Sequence, residues 1–373
     1  MSNKNMKVLH FTLGKANPLS GNGINIVING LCNHLNDISG FECEVLSISR
    51  KQKQKYKRID RDNFVVHCFN KLSGVLSFVR SNASNYDIIH LHNAWTWEND
   101  LVSALLRIYK IPYIVSIHCA LQFDRLENSN YIFKKIYHKL FQNHTFDGAA
   151  LIHASTNQET IDIAKFTKTK TIVLPNGASL HKLAKPRKFE ISDTEKLYGI
   201  YIGRLSKEKN VESLVLAIGM LERQFRNAIK IRIVGPHDKK FVEFIMNNNV
   251  QDCFELMGPL FGEDKISVLN ESHFFVHPSL SDQIPTAWVE ALSMGLPSLI
   301  TRQSMVSYWY NSRAFIMMEP TPESIANGLM SLIQGKDKLD EMSRNAINLV
   351  EKELNWAVIS KKFSKIYFDL VHN

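Results

Sequence analysis

The chain has little that would tie it to an oxidising compartment, a membrane interior or a bound metal. Its five cysteines, Cys32, Cys43, Cys68, Cys119 and Cys253, are odd in number, widely spaced and free of any C-x-x-C, which argues against a disulfide framework or a zinc site. No stretch approaches the roughly 18 apolar residues of a membrane span, and the opening MSNKNMKVLHFTLGK has too short an apolar core for a secretory signal. There is no short repeat, no low-complexity tract, and no H-E-x-x-H, G-x-S-x-G or G-x-x-x-x-G-K-[ST]. A cytoplasmic protein, touching a membrane only peripherally, is the expectation.

What the chain does have is length, apolar content and an uneven charge. With 373 residues and 45% hydrophobic residues, it exceeds what one core usually organises and is rich enough in apolar side chains for two. The net charge is +9, and the excess sits in the first half: residues 1–180 hold 21 Lys and Arg against 13 Asp and Glu. Two segments carry much of it. RKQKQKYKRIDR (50–61) is a dense basic run, and YIFKKIYHKLFQ (131–142) interleaves lysines with apolar residues at helical spacing. Such segments suit an anionic lipid surface or an anionic acceptor. A solvated loop and an ordinary amphipathic helix account for them equally well. Nucleic acid is not expected, because no aromatic-basic platform accompanies the charge.

Apolar runs at 7–14, 43–49, 64–69, 86–92, 112–118, 148–155 and 170–175 read as strands, and residues 24–35 as a helix with Ile24, Val27, Ile28, Leu31 and Leu35 on one face. The lysine-rich stretch KLAKPRKFEISDTEK (182–196) interrupts the alternation and reads as a linker. The pattern then resumes with strands in LYGIYIG, IKIRIVG, CFELMG, FFVHPS and PSLIT. Near-continuous apolar strands between helices indicate an α/β class chain of two doubly wound, Rossmann-like parallel-sheet domains, 1–181 and 197–354. Ligands of such sheets lie beyond the carboxyl ends of the strands.

In the second half, YIGRLSKEKN ends a strand at Gly203 and places Arg204 next and Lys209 five residues on. Two cations there suit a diphosphate; a local ion pair and a solvated lysine are the alternative. SLSDQIPTAWVEALSMGLP (279–297) follows another strand. Pro285 suits the first turn of a helix, so free N–H groups near Ile284, Thr286 and Ala287 would offer a second anion site. Glu290, the lone acid of an apolar helix, is placed to accept hydrogen bonds from vicinal hydroxyls. In the first half, Gly21 and Gly23 permit close backbone approach after the first strand, and His92 and His118 each close a strand at the same sheet edge, where a neutral imidazole suits a sugar hydroxyl.

Taken in order, GNG, IIHLHNAWTW, VSIHCA, LPNGAS, GRLSKEKNVESLVLAI, IVGP and SLSDQIPTAWVEALSMGLP resemble the retaining glycosyltransferases of family 4, which have the GT-B fold of two domains facing across a cleft. The resemblance runs through both halves, with Asp282 in place of the first glutamate of the family's Glu-x7-Glu element. It implies that the second domain holds a nucleotide-diphosphate sugar. Arg204 and Lys209 would neutralise the diphosphate with help from the helix N-terminus at Ile284, Pro285 and Thr286, Glu290 would hold the ribose, and Asp282 would stand by the donor sugar. Backbone around Met257, Gly258 and Leu260 would frame the base. The Gly21–Gly23 loop and His118 would close over the donor, the acceptor would lie among His92, Trp95, His118 and the basic surface, and residues 355–373 would form a helix crossing back to the first domain.

The chemistry implied is metal-free: fixed positive charge stabilises the departing diphosphate, and the leaving phosphate itself takes the acceptor's proton. DRD at 60–62 imitates the metal-binding D-x-D of other sugar transferases, but lies in a polar basic run. The expected partners are a nucleotide-sugar donor, a UDP-sugar on this reading, and a lipid-linked or glycan acceptor at the inner membrane face. Two rivals stand beside it: a sugar-nucleotide epimerase of the same fold, and a non-catalytic sugar-nucleotide-binding subunit suggested by Asp282.

Overall fold

The computed structural model describes residues 5–14, 23–121, 131–179, 185–192 and 195–372. It divides into two compact units, Met1–Asn176 with Trp356–Asn373, and Gly177–Asn355.

The first unit is built on one eight-stranded sheet. Its strands are β1 (Met6–Leu13), β2 (Phe41–Ile48), β3 (Tyr56–Asp60), β4 (Val65–Phe69), β5 (Ile88–His92), β6 (Tyr113–Ser116), β7 (Leu151–Ala154) and β8 (Thr171–Val173), in the order β3-β4-β2-β1-β5-β6-β7-β8. All pairs are parallel except β3 with β4. Alternation along each strand sends Leu9 and Phe11 to one face and Met6 and Val8 to the other, and both faces are buried. On the second face the helix Gly23–Asn36 packs with the last helix, Trp356–His372. Gly30 admits the approach: a Cβ there would lie 2.2 Å from the Trp356 indole nitrogen.

The basic run 50–61 is neither a simple loop nor part of the sheet interior. Residues Tyr56–Asp60 form an antiparallel edge strand with exposed side chains, a charged edge of the kind that resists strand-on-strand association. Residues 131–142 are helical, as Tyr131–Tyr137 followed by a π-helical turn His138–Gln142, with Phe133, Ile136, Leu140 and Phe141 exposed.

The second unit has six parallel strands, β9 (Leu197–Ile202), β10 (Ile229–Val234), β11 (Phe254–Gly258), β12 (Phe274–His277), β13 (Ser298–Thr301) and β14 (Phe315–Met318). Their order, β11-β10-β9-β12-β13-β14, reverses between β9 and β12, which is where a doubly wound sheet leaves a crevice. Residues 185–192, read from sequence as linker, are packed onto this unit. Arg187 donates to Met294 O (2.7 Å), Ser272 O (2.8 Å), Asn270 O (2.9 Å) and Leu269 O (3.2 Å). It thereby satisfies orphan carbonyls at the carboxyl ends of the helices Gly262–Asn270 and Thr286–Ser293. Burial lowers its pKa to about 10, which leaves it charged at neutral pH.

Candidate functional site

Two sheet edges collect the chemistry-bearing residues, one in each unit. In the second unit, β9 and β12 end side by side, and their loops are tied together because Leu280 N–H and Ser279 Oγ both donate to Glu208 O at 2.8 Å. Gly203 and Gly235 close β9 and β10 so tightly that a Cβ on Gly235 would sit 1.9 Å from Gly203 O. Arg204 follows at once, exposed and without an ion pair among the described residues. Its carbonyl accepts from the buried Tyr201 hydroxyl at 2.7 Å.

Lys209 lies in the same loop and is ion-paired with Asp282, whose Oδ2 also accepts from His277 Nε2 at 3.0 Å. A carboxylate only accepts, so the Nε2 of neutral His277 carries the proton. Burial pushes Asp282 up, but the His277 hydrogen bond and the Lys209 charge together hold its carboxyl well below the usual range. Its Oδ1 accepts from the Gln283 N–H at 3.1 Å. Asp282 is thus turned toward its own loop and toward Lys209. Ile284 is a buried β-branched residue with φ of 48°, a strained left-handed conformation that persists only where surroundings over-determine it. Its N–H, expected free, donates to Ser304 O at 3.1 Å.

The helix Thr286–Ser293 begins after Pro285, which caps it without a side-chain bond. The N–H groups of Thr286 and Ala287 have no partner among the described residues. The free N–H groups at this helix end, among the described residues, are therefore those of Thr286 and Ala287, with Ile284 and Pro285 shaping the turn before it. Glu290 is not alone, as its Oε2 accepts from Lys265 Nζ at 2.8 Å. Gly258 ends β11 in a left-handed conformation, φ 69°, with open space where a Cβ would stand, and Leu260 packs against the core that holds Trp288 and Val289, as do Ile202 and Ala287.

In the first unit the sheet register assembles five polar side chains on one face. His10 pairs with His90 across β1 and β5, His92 with Ser116 across β5 and β6, and Ser116 with His153 across β6 and β7. His10, His90, His92, Ser116 and His153 are all buried. Burial lowers His118 to about 3 and His153 to about 4, and pushes His90 and His92 well below the usual histidine range, so these rings are neutral and each has one N–H and one lone pair. One chain of bonds runs from Tyr367 OH to His90 Nδ1 (2.7 Å), His90 Nε2 to Ser116 Oγ (2.6 Å), Ser116 to His153 Nδ1 (2.6 Å) and His153 Nε2 to Leu174 O (2.9 Å). A second joins His10 Nδ1 to His92 Nε2 (2.8 Å) and His92 Nδ1 to His118 Nε2 (2.9 Å). Both nitrogens of His92 are therefore engaged, and a 1% exposed ring has no surface for an acceptor; of the two histidines expected there, only His118 is partly exposed.

His118 and Cys119 sit in successive left-handed conformations, φ 52° and 65°. The turn is fixed by Cys119 N–H donating to Glu159 Oε1 (2.7 Å) and by Trp95 Nε1 donating to Ala120 O (2.6 Å). Trp95, expected beside an acceptor, spends its N–H on this turn. Glu159 is buried and also accepts from Ser155 N–H at 2.6 Å; burial raises its pKa to about 7 against those bonds. Gly21 lies outside the described residues, and Gly23 begins the helix Gly23–Asn36. His10 with Cys32 and Cys43, and His10 with His90 and His92, are close enough to hold a metal. The ring nitrogens of His90 and His92 are already hydrogen-bonded and burial pushes the Cys43 thiol up, which fits a hydrogen-bonded core better than a ligand set.

Sequence reasoning brought forward Arg204, Lys209, Asp282 and Glu290 but not their partners His277 and Lys265, nor Glu159 and His10.

Comparison with known proteins places both units. The family described as Glycosyltransferase Family 4 matches residues 21–182, and the family described as Glycosyl transferases group 1 matches residues 184–349. The chain is 25% identical over 353 residues to the capsular polysaccharide biosynthesis glycosyltransferase CapH of Staphylococcus aureus, covering 86% of this chain and 91% of that one. It is 24% identical over 305 residues to the UDP-Gal:alpha-D-GlcNAc-diphosphoundecaprenol alpha-1,3-galactosyltransferase of Escherichia coli, covering 77% and 76%. Among solved structures, HepE of Anabaena in complex with UDP-glucose superposes with a TM-score of 0.74 at 15% identity, over 98% of this chain and all of that one.

Proposed function

Because the chain belongs to the family 4 glycosyltransferases, enzymes of the GT-B fold, we propose that it transfers a sugar, with retention of configuration and without a metal, from a UDP-sugar to a lipid-linked glycan. One observation carries the donor side of this reading: Arg204, Lys209 and the unpartnered N–H groups of Thr286 and Ala287 all stand at the β9/β12 reversal of the second unit. A diphosphate there meets two cations and the positive end of a helix, the charge distribution that stabilises a departing nucleotide. Lys209 exchanges part of its pairing with Asp282 for phosphate, and Asp282 acts as its counter-ion more than as a sugar contact. Glu290, freed from Lys265, holds the ribose hydroxyls, and Gly258 and Leu260 border the base.

UDP is favoured because one relative is named for UDP-Gal and one solved neighbour holds UDP-glucose. A lipid-linked acceptor in surface polysaccharide synthesis is favoured by the diphosphoundecaprenol in that relative's name and the capsular role in the other's. The basic first half and the exposed Phe133, Ile136, Leu140 and Phe141 among lysines suit the anionic inner face of a membrane; no described helix is long and apolar enough to cross one.

The test is incubation with UDP-, GDP- and ADP-sugars and a polyprenyl-diphosphate-linked acceptor, read by nucleotide release and by NMR of the new anomeric centre. Release of UDP with a retained anomer is expected. Binding of UDP without turnover, restored by Asp282→Glu, favours instead the non-catalytic subunit that the engaged Asp282 suggests; no transfer from any donor overturns the proposal.

A further inference from the structure

The two buried hydrogen-bond chains of the first unit differ in one respect: the polarity of the first is dictated by its end. Leu174 O only accepts, so His153 Nε2 donates to it, His153 Nδ1 accepts from Ser116, Ser116 accepts from His90 Nε2, and His90 Nδ1 accepts from Tyr367. The second chain, His10–His92–His118, has no carbonyl to orient it. Its inner end is His10 Nε2, fully buried and without a hydrogen-bond partner. One ring nitrogen of His10 and the sulfurs of Cys32 and Cys43 lie within 4.8 Å of one another.

Either orientation leaves a different group at that inner end. If His118 donated inward, His92 would donate to His10, and His10 would be left with a buried N–H that has no hydrogen-bond partner among the described residues, the costlier orphan. If the chain runs outward, His10 Nε2 is a bare lone pair, the less costly group to leave buried without a partner. The outward orientation makes His10 Nδ1 donate to His92 Nε2, and His92 Nδ1 donate to His118 Nε2. The only lone pair of the His118 ring is then occupied, and its Nδ1 carries the proton.

We propose that His10 and His92 are positioning residues that lock His118 as its Nδ1–H tautomer, so that the residue at the sheet edge is a fixed hydrogen-bond donor to a sugar hydroxyl oxygen and never a general base. The left-handed turn at His118 and Cys119, clamped by Glu159 and Trp95, holds the ring plane that this requires. The role of His118 toward substrate rests on the glycosyltransferase reading; its tautomer does not. A donor here agrees with a retaining transfer in which the leaving phosphate takes the acceptor's proton.

Long-range 1H–15N NMR of protein labelled in histidine reads the tautomer directly, with His118→Gln identifying the signals. A protonated Nδ1 and bare Nε2 on His118 are expected; the reverse pattern overturns the proposal. His92→Leu is expected to leave His118 in mixed tautomers and to lower kcat about tenfold with KM within about twofold, the size of one lost orienting hydrogen bond. His92→Asn, whose side-chain N–H stands where Nδ1–H stood, is expected to restore both the tautomer and most of kcat. An unchanged tautomer and rate in His92→Leu also overturns the proposal. Thermal unfolding of each variant separates these effects from a collapsed core, and if no sugar is transferred by the wild type, the NMR result still decides the tautomer while the functional reading alone fails.

Discussion

A lysine and an aspartate in contact neutralise each other, and what remains at the β9/β12 edge is then Arg204 and two N–H groups. Arg204 itself is exposed and has no ion pair among the described residues. Arg204→Ala is expected to lower kcat by about a hundredfold, the loss of one charge that acts on the departing group, with donor KM less affected; steady-state kinetics with a saturating acceptor measures both. Sequence alone singled out Arg204, Lys209, Asp282 and Glu290, because a cation just past a strand and an acid in an apolar helix are local signals. It did not locate His277, 5 positions before Asp282, or Lys265, 25 before Glu290. Those partners are set by which strands and helices meet in space, and periodicity does not encode that. The expectation of a free Ile284 N–H failed for the same reason, since its acceptor Ser304 comes from the loop after β13.

At the scale of elements, strands such as β9 were readable because buried parallel strands are near-continuously apolar. β3 and β14 were not: YKRID is a mostly exposed, charged edge rather than an apolar run, and FIMM went unread although strands of the same length were read. The glycines that end β9 and β10 carry a prediction of their own. Gly235→Ala drives a methyl group into Gly203 O, so the strand ends must part; a loss of about 1–3 kcal/mol is expected from such overpacking, read as a lower denaturant midpoint with activity falling alongside. The segment 131–142 carries another. Vesicles containing phosphatidylglycerol are expected to bind the protein, and Lys135→Glu with Lys139→Glu to weaken that binding at least about tenfold, since each basic residue near an anionic surface contributes roughly 1 kcal/mol. Binding to neutral phosphatidylcholine vesicles alone, or binding indifferent to salt, would contradict the assignment.

For the molecule as a whole, the buried histidines govern the response to acid. His90, His92, His118 and His153 are all held below their unfolded values. Below about pH 6.5 the unfolded chain gains protons that the folded one refuses, so stability present at neutral pH is lost as pH falls, by up to about 1.4 kcal/mol per ring per pH unit. Glu159, raised to about 7, acts oppositely: its contribution is fully present below about 4.5 and fades as pH rises to 7. Four rings outweigh one carboxyl, and a net fall in urea midpoint from pH 7 to pH 5 is expected for the first unit, shallower in His153→Gln; a midpoint that rises on acidification would mean that the rings are charged in the folded state. The fold class and the two-unit architecture were legible from alternating apolar runs, but this acid sensitivity was not, because residues 90, 92, 118 and 153 become neighbours only through strand order.

The return of Trp356–His372 to the first unit has a consequence for biosynthesis. Trp356 fills the hollow at Gly30, and Tyr367 completes the bond to His90, yet on a ribosome these residues emerge only after all of Gly177–Asn355. The second unit is therefore able to fold while the first still shows an open apolar flank along Val27, Ile28 and Leu31. In a growing polypeptide that flank is a natural docking place for a chaperone, released when the final helix arrives to displace it.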